Sequence, residues 1–138
     1  MIFLDTNVLS ALMQDLPDSK VIGWLDQQPK TSLWTTSITV FEILSGLQIM
    51  PAGRRQTGLS QVFRLILERM DHRIAAFDDE AARVAAGLAA SRKKRGKVVE
   101  VRDTMIAGIV VSRHATLATR NTSHFDDVSA TVVNPWTA

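Results

Sequence analysis

The sequence predicts an α/β fold, a three-layer α/β/α sandwich with a mostly parallel central sheet. Short β-rich apolar runs alternate along the chain with segments whose apolar residues recur at helical spacing. Strands separated by helices need right-handed crossovers, and these crossovers cover both faces of a sheet. With 138 residues, 46% of them hydrophobic and 22% charged, the chain can bury one core, so we expect a single domain over residues 1–138.

The first half of the chain is predicted to contain two strands and four helices. The strands cover residues 2–5 and 32–36, and the helices cover residues 6–13, 19–27, 37 to near 51, and 56–70. In the third helix, Val40, Ile43, Leu44 and Leu47 recur at i, i+3, i+4 and i+7. This spacing places them on one helix face.

The second half of the chain is predicted to contain three strands and two helices. The strands cover residues 74–77, 116–119 and 131–133. Asp78 or Asp79 can cap an alanine-rich helix that runs to about Lys94, and Gly96 ends it because glycine readily adopts the left-handed conformation. The last helix begins at Asp103 and covers residues 103–114.

The composition excludes several function classes. The chain has no cysteine, which rules out disulfides, thiolate metal sites and cysteine nucleophiles. A carboxylate at position 5 comes too early for a signal-peptide core, and no apolar run approaches the roughly 18 residues of a membrane helix. We therefore expect a cytoplasmic protein with no membrane partner.

The cations are clustered, although the net charge is only +2. One cluster, here called the basic cluster, consists of Arg92, Lys93, Lys94, Arg95 and Lys97. Clustered cations bind a nucleic-acid backbone with salt-sensitive affinity, so we predict that this cluster contacts nucleic acid. The alternative is a solvated helix end, because the helix dipole also favours Lys and Arg at a C-terminus.

Three acids that are far apart in sequence are predicted to meet at one edge of the sheet. Asp5 ends the first strand, Glu42 lies in the helix after the second strand, and Asp103 begins the helix before the fourth strand. Open parallel sheets bind ligands beyond the carboxyl ends of their strands. We therefore predict that these three carboxylates form a catalytic site.

A divalent metal ion would stabilise this group of acids. Neighbouring carboxylates raise each other's pKa unless a cation lies between them. Mg²⁺ prefers oxygen ligands and takes one or two carboxylates together with water and phosphate, so we expect Mg²⁺. Zinc is disfavoured because His72, His114 and His124 show no paired ligand spacing.

Each acid also has a purely structural interpretation. Asp5 and Asp103 can stabilise the start of a helix, as a cap or through the helix dipole. Thr39 and Glu42 have the spacing of a capping box, in which the glutamate bonds its own backbone. A shared site has the advantage of also explaining why Asp5 and Glu42 interrupt apolar segments.

Four segments spread over the chain carry a specific combination of residues. They are FLDTNVL at 3–9, SITVFEILSGL at 37–47, RDTMIA at 102–107 and ATRNTSHF at 118–125. In this order they resemble the PIN-domain proteins, specifically the VapC-type toxins of toxin–antitoxin pairs.

The resemblance implies an endoribonuclease that uses Mg²⁺ or Mn²⁺, forms a homodimer, and is inhibited by a cognate antitoxin. It implies contact with DNA only through that antitoxin. The metal ligands of the family correspond to Asp5 and Asp103, with Glu42 as the acid of the second motif. A metal-activated water would cleave the RNA phosphodiester, with either one or two ions bound. The basic cluster would then guide the RNA.

The fourth motif departs from the family pattern. Many PIN domains have an acid where this chain has Asn121. Asn121 can still offer a carbonyl oxygen, Asp126 is close enough in sequence to replace the missing acid, and Thr6 can hydrogen-bond the carboxylates. We treat these three as secondary candidates, against a turn role for Asn121 and a solvated charge for Asp126.

Other function classes explain less of the sequence. A non-catalytic nucleic-acid-binding module would account for the cations but not for acids between apolar residues. A phosphohydrolase with an aspartyl nucleophile needs a second aspartate where Asn7 stands, and a phospho-receiver needs one at the end of the third strand, where Phe77 precedes Asp78. Dinucleotide binding is disfavoured because no Gly-x-Gly-x-x-Gly run follows the first strand.

Overall fold

The computed structural model describes residues 1–138 and contains a five-stranded sheet in which every pairing is parallel. The strands are β1 (Ile2–Leu4), β2 (Leu33–Thr36), β3 (Ile74–Ala75), β4 (Thr116–Ala118) and β5 (Thr131–Val133). Their order across the sheet is β3-β2-β1-β4-β5. In the centre, Ile2 of β1 lies opposite Leu33 on one side and Thr116 on the other. The predicted parallel sheet is confirmed.

Six α-helices connect the strands. They are α1 (Thr6–Leu12), α2 (Ser19–Asp26), α3 (Ser37–Ile49), α4 (Arg54–Arg69), α5 (Asp79–Lys94) and α6 (Val101–Ser112). Short 3₁₀ turns occur at Lys30–Ser32 and Thr122–Phe125. Every predicted element is present, and its ends differ from the predicted ones by no more than two residues. None of the helices has the length and apolarity needed to cross a membrane.

Two cores lie on opposite faces of the sheet because successive strand residues point in opposite directions. On one face, Phe3 and Leu117 pack with Ile106 and Ile109 of α6 and with residues of α5. On the other face, the neighbouring strand residues Leu4 and Ala118 pack with apolar side chains of α1 to α4. Helices therefore cover both faces, which confirms the predicted three layers.

Helix α3 begins one turn earlier than the capping-box interpretation requires. Its N-cap is Thr36, whose side-chain oxygen accepts a hydrogen bond of 3.1 Å from the Thr39 backbone N–H. Thr39 therefore lies inside the first turn, and the interpretation of Thr39 and Glu42 as a capping box is wrong. The Glu42 carboxylate is consequently free to make contacts outside its own helix.

Helix α5 ends at glycine, as predicted. Gly96 has a φ of +68°, and the hydrogen bonds from Lys97 N to Arg92 O (2.9 Å) and from Gly96 N to Lys93 O (3.1 Å) form a Schellman motif. At the other end of this helix, Asp78 is the N-cap and accepts a 2.9 Å hydrogen bond from Ala81 N. Helix α5 then packs along α6.

Candidate active site

A polar pocket of about 390 Å³ lies beyond the carboxyl ends of β1 and β4. We call it the acid pocket. None of its lining residues is hydrophobic; they are Asp5, Thr6, Asn7, Ser10, Glu42, Glu100, Asp103, Asn121 and His124. The structure thus brings together the three acids singled out from the sequence, and it adds a fourth, Glu100. This is the edge of a parallel sheet at which ligands bind.

Asp5 is the most buried of these acids, with 4% of its surface exposed. It caps α1, since its Oδ1 accepts a 2.8 Å hydrogen bond from Thr6 N, and its Oδ2 accepts one of 2.7 Å from the Thr119 hydroxyl. Burial raises the pKa of Asp5 to about 6, the two hydrogen bonds oppose this shift, and the nearby charges of Asp103 and Glu42 add to it. Asp5 is therefore both a helix cap and part of the acid pocket.

Glu42 is held by a residue of another helix. The Thr6 hydroxyl at the start of α1 donates a 2.9 Å hydrogen bond to Glu42 Oε1 on α3. The other carboxylate oxygen, Oε2, lies 3.8 Å from the Arg102 guanidinium. Thr6 therefore orients one of the candidate acids, which is the role expected for it from the sequence.

Asp103 and Glu100 stand at the start of α6. Asp103 is in the first turn, and its Oδ2 lies 3.0 Å from His124 Nδ1. Glu100 occupies the N-cap position and forms an ion pair with Arg102. The hydrogen bond to Glu100 and the charges of Glu100 and Glu42 raise the pKa of Arg102 further above its usual value. One cation and one histidine therefore lie among the four acids.

The donor atoms of the acid pocket suit a hard divalent cation. They are almost all oxygens, and Asp5 is a buried carboxylate whose partners are neutral hydrogen-bond donors. No group of three or more His, Asp or Glu side chains is close enough to enclose an ion by itself. An open set of carboxylates fits Mg²⁺, which keeps several waters and takes only one or two protein carboxylates.

The two remaining secondary candidates differ in position. Asn121 lines the acid pocket, and its backbone N–H donates a 3.1 Å hydrogen bond to the Thr119 hydroxyl. Asp126 does not line the pocket and instead pairs with Lys97 at the surface. The structure therefore contradicts the suggestion that Asp126 replaces the missing acid, because its carboxylate is held by a cation outside the pocket.

The basic cluster is divided by the fold. Arg92 is 3% exposed; its guanidinium donates to both carboxylate oxygens of Asp127 at 2.8 and 2.9 Å, to the Thr104 hydroxyl and to the His124 carbonyl. Its inclusion among RNA-binding residues is therefore a mistake, because a guanidinium with these partners cannot reach a phosphate. Arg95 and Lys97 also pair with Asp127, which leaves Lys93 and Lys94 as exposed cations without an ion pair.

Several residues that line or support the acid pocket were not identified from the sequence. Asn7 donates a 3.4 Å hydrogen bond to Asp5 Oδ2, and Thr119 directly follows β4, the neighbour of β1. The strand-end rule that identified Asp5 could have identified Thr119 as well, since both residues end adjacent strands. Glu100 and His124 carried no such signal, because neither directly follows a strand.

Comparison with known proteins shows the family and supports the fold. The PIN domain family model matches residues 2–130. The chain is 39% identical to the VapC ribonuclease Y4jK of Sinorhizobium fredii, over 99% of this chain and 98% of that protein. It is 36% identical to the plasmid stability protein StbB of Pseudomonas syringae pv. tomato, over the full length of both.

A solved structure is similar over the whole chain. In the crystal structure of FitAcB from Neisseria gonorrhoeae, one chain superposes with a TM-score of 0.91 at 32% identity, and the match covers 100% of both chains. The sequence resemblance is thus confirmed by relatives that share both the length and the fold. On these grounds the chain belongs to the PIN-domain family.

Proposed function

We propose that this chain is a Mg²⁺-dependent endoribonuclease, the toxin component of a toxin–antitoxin pair, with residues 1–138 forming one nuclease domain. The observation that carries the proposal is the meeting of Asp5, Glu42 and Asp103 in one pocket without hydrophobic lining. The names of two relatives, a VapC ribonuclease and the toxin FitB, support the same activity. Mn²⁺ is the alternative ion, since it accepts the same oxygen ligands.

The side chains of the acid pocket have different parts in the proposed reaction. Asp5, Asp103 and Glu42 would hold the divalent ion, which would supply a more acidic water and neutralise charge on the scissile phosphate. The Thr6 hydroxyl keeps Glu42 oriented toward the pocket, and the Thr119 hydroxyl does the same for Asp5. Asn121 offers a neutral oxygen at the mouth of the pocket, where it can bind a water molecule.

Substitution of Asp103 is the most direct test. Asp103→Asn removes a charge in the first helical turn without removing a cap hydrogen bond, whereas any change at Asp5 also alters the start of α1. We expect Asp103→Asn to slow cleavage of a labelled single-stranded RNA in Mg²⁺ by roughly 100-fold or more, the scale of losing one electrostatic contact to a transition state. EDTA should abolish cleavage by the unmodified chain.

Asp15→Asn is the matched control because Asp15 is exposed and lies outside the acid pocket. It should cleave RNA at the unmodified rate. Thermal unfolding should show that both variants are folded. Undiminished cleavage by Asp103→Asn, or cleavage in EDTA, would show that the acids do not act as proposed.

We also propose that the chain is cytoplasmic, forms a homodimer and binds an antitoxin protein, through which alone it contacts DNA. The support comes from relatives: one similar solved structure is FitAB bound to an IR36 DNA fragment, which matches 99% of this chain at 32% identity. Co-purification of this chain with the product of the adjacent short reading frame, followed by mass measurement in solution, tests the partner and the dimer together. A monomer that retains no such product would contradict both.

The exposed members of the basic cluster are proposed to guide the RNA backbone. Lys93 and Lys94 lie at the end of α5, which Arg92 ties to the carbonyl of the pocket residue His124. Replacing both lysines with alanine should lower the slope of log affinity against log salt by roughly 1 to 2, since each phosphate contact to a single strand contributes about 0.7. An unchanged slope would show that Lys93 and Lys94 contact only solvent and do not bind the RNA backbone.

A further inference from the structure

A second groove opens from the acid pocket toward the C-terminal end of the chain. Its volume is about 410 Å³, and it shares Asn7 and Ser10 with the acid pocket. Its lining includes Arg120 and Trp136, and the Arg120 backbone is hydrogen-bonded to the shared residue Asn7. A polymer that occupies both the acid pocket and this groove would contact these two side chains.

Arg120 is an exposed cation on the lining of the second groove. Its side chain is exposed and takes part in none of the ion pairs of the structure. Its guanidinium carbon lies 5.0 Å from the centroid of the Trp136 ring, within the range of a cation–π contact. Trp136 is itself half-buried and packs on the core between the sheet and α1 to α4, so it supports the guanidinium from one side.

The Arg120 backbone is also tied to the acid pocket. Its N–H donates a 3.1 Å hydrogen bond to Asn7 Oδ1, and the Asn7 amide donates to Asp5 and Thr119. Arg102 is already engaged, since it pairs with Glu100 and lies close to Glu42. Arg120, by contrast, is unpaired and borders the pocket across Asn7.

The one acid of the second groove does not neutralise Arg120. Asp18 caps α2, and its Oδ1 accepts a 2.8 Å hydrogen bond from Lys20 N. The groove therefore offers a free guanidinium, an aromatic support and the Ser10 hydroxyl of α1. These are the features by which proteins bind single-stranded RNA, whose exposed bases stack on aromatic rings and on Arg planes.

We propose that Arg120, supported by Trp136, binds the nucleotide adjacent to the scissile phosphate of single-stranded RNA. This inference rests on the proposed ribonuclease function and assigns a substrate-binding residue to it. The base stacks on the face of the guanidinium that Trp136 leaves uncovered, and the N–H groups donate to a phosphate oxygen. Stacking does not depend on base identity, so the contact favours single strands over duplexes without selecting a sequence.

Binding measured in EDTA separates this contact from cleavage. The probe is a fluorescein-labelled single-stranded oligoribonucleotide, compared with the same strand in a duplex. Arg120→Ala should weaken binding of the single strand about tenfold, the scale of losing one stacked base. Arg120→Lys should keep the salt dependence of RNA binding but lose affinity, because lysine has the positive charge but lacks the planar guanidinium on which a base can stack. Arg83→Ala is the matched control, since it removes one exposed arginine charge on α5 outside both grooves.

The outcomes for this contact and for the ribonuclease activity are distinguishable. If the unmodified chain cleaves RNA but Arg120→Ala binds the single strand as Arg83→Ala does, the assignment of Arg120 is overturned and the ribonuclease function stands. If binding depends on Arg120 but no RNA is cleaved in Mg²⁺, the nucleotide contact is supported and the ribonuclease function is rejected. If Arg120→Lys binds the single strand with full affinity, the base does not stack on the guanidinium. The same conclusion follows if Arg120→Ala loses equal affinity for the single strand and the duplex.

Discussion

Asp5 shows how one side chain can serve both the fold and the site. It caps α1 and accepts a hydrogen bond from Thr119, yet it lies almost wholly buried beside Glu42 and Asp103. Without a bound cation, the folded protein must keep this carboxyl in a poorly solvated place. Because burial raises its pKa from 3.8 to about 6, the ionised form destabilises the fold near neutral pH.

The resulting pH dependence has a definite sign. The unfolded chain releases the Asp5 proton at a lower pH than the folded chain does, so the stability contributed by the protonated carboxyl is complete below about pH 3.8 and is lost by about pH 6. The asparagine side chain in Asp5→Asn carries no charge at any pH. In EDTA, the variant's free energy of unfolding relative to the unmodified chain should therefore rise by about 1 kcal/mol between about pH 5 and about pH 8.

Urea titrations at the two pH values test this prediction. Changed hydrogen bonds at the start of α1 can shift the free energy of unfolding by the same amount at both pH values. The test therefore uses only the part of the difference that changes with pH. Asp15→Asn should show no such change, because Asp15 is exposed. If the difference between Asp5→Asn and the unmodified chain is the same at both pH values, the raised pKa of Asp5 is refuted.

The close packing of α5 on α6 positions Asp103, which lies in the first turn of α6. Gly108 of α6 faces α5 at a distance that leaves no room for a side chain. A Cβ added there would lie 2.5 Å from the Ala81 carbonyl oxygen and 2.8 Å from the Ala85 Cβ. Both neighbours belong to the α5 helix, so neither can move without moving the helix. The glycine thus sets the separation of the two helices.

Two glycine-to-alanine substitutions should therefore have opposite effects. Gly108→Ala should lower the free energy of unfolding by roughly 1 to 3 kcal/mol, the usual cost of overpacking a core. Gly87→Ala on α5 should raise it by roughly 0.5 to 1 kcal/mol, because Gly87 is exposed with nothing near its Cβ position and alanine favours the helix. Denaturant titration measures both. Equal effects of the two changes would show that the helices can separate at no cost.

Arg92 joins parts of the chain that lie far apart in sequence. It connects α5 to Thr104 of α6, to the His124 carbonyl and to Asp127. The hydrogen bond from Arg92, aided by Arg95 and Lys97, holds the pKa of Asp127 well below its usual range. Since a depressed carboxyl pKa stabilises the fold above the unfolded pKa, this contribution is lost as the solution is acidified.

Removal of this buried arginine should be costly. Arg92→Ala leaves the largely buried Asp127 carboxylate with only its peripheral cations and should lower the free energy of unfolding by roughly 3 kcal/mol at neutral pH. Lys93→Ala, one residue along the helix but exposed, should change it by less than about 0.5 kcal/mol. Urea titration of the two variants compares them directly. Similar values for both would mean that the Arg92 contacts do not hold these segments together.

The elements and the approximate place of the site were predictable because they follow from local patterns. Apolar spacing marked the helices and strands, and Gly96 marked the end of α5. The alternation of strands and helices then implied parallel strands, and parallel strands imply a shared carboxyl edge. Asp5 and Asp103 could be assigned to that edge from their positions relative to strands alone.

The packing of distant elements determines which side chains are free to act. Arg92 and Lys93 are neighbours in one basic run, but the turn of α5 directs Arg92 toward Asp127 and Lys93 toward solvent. In the same way, Asn121 lines the acid pocket while Asp126 pairs with Lys97 outside it. Spacing along the chain determines local conformation, whereas the direction of a side chain and its partner depend on how distant elements pack together.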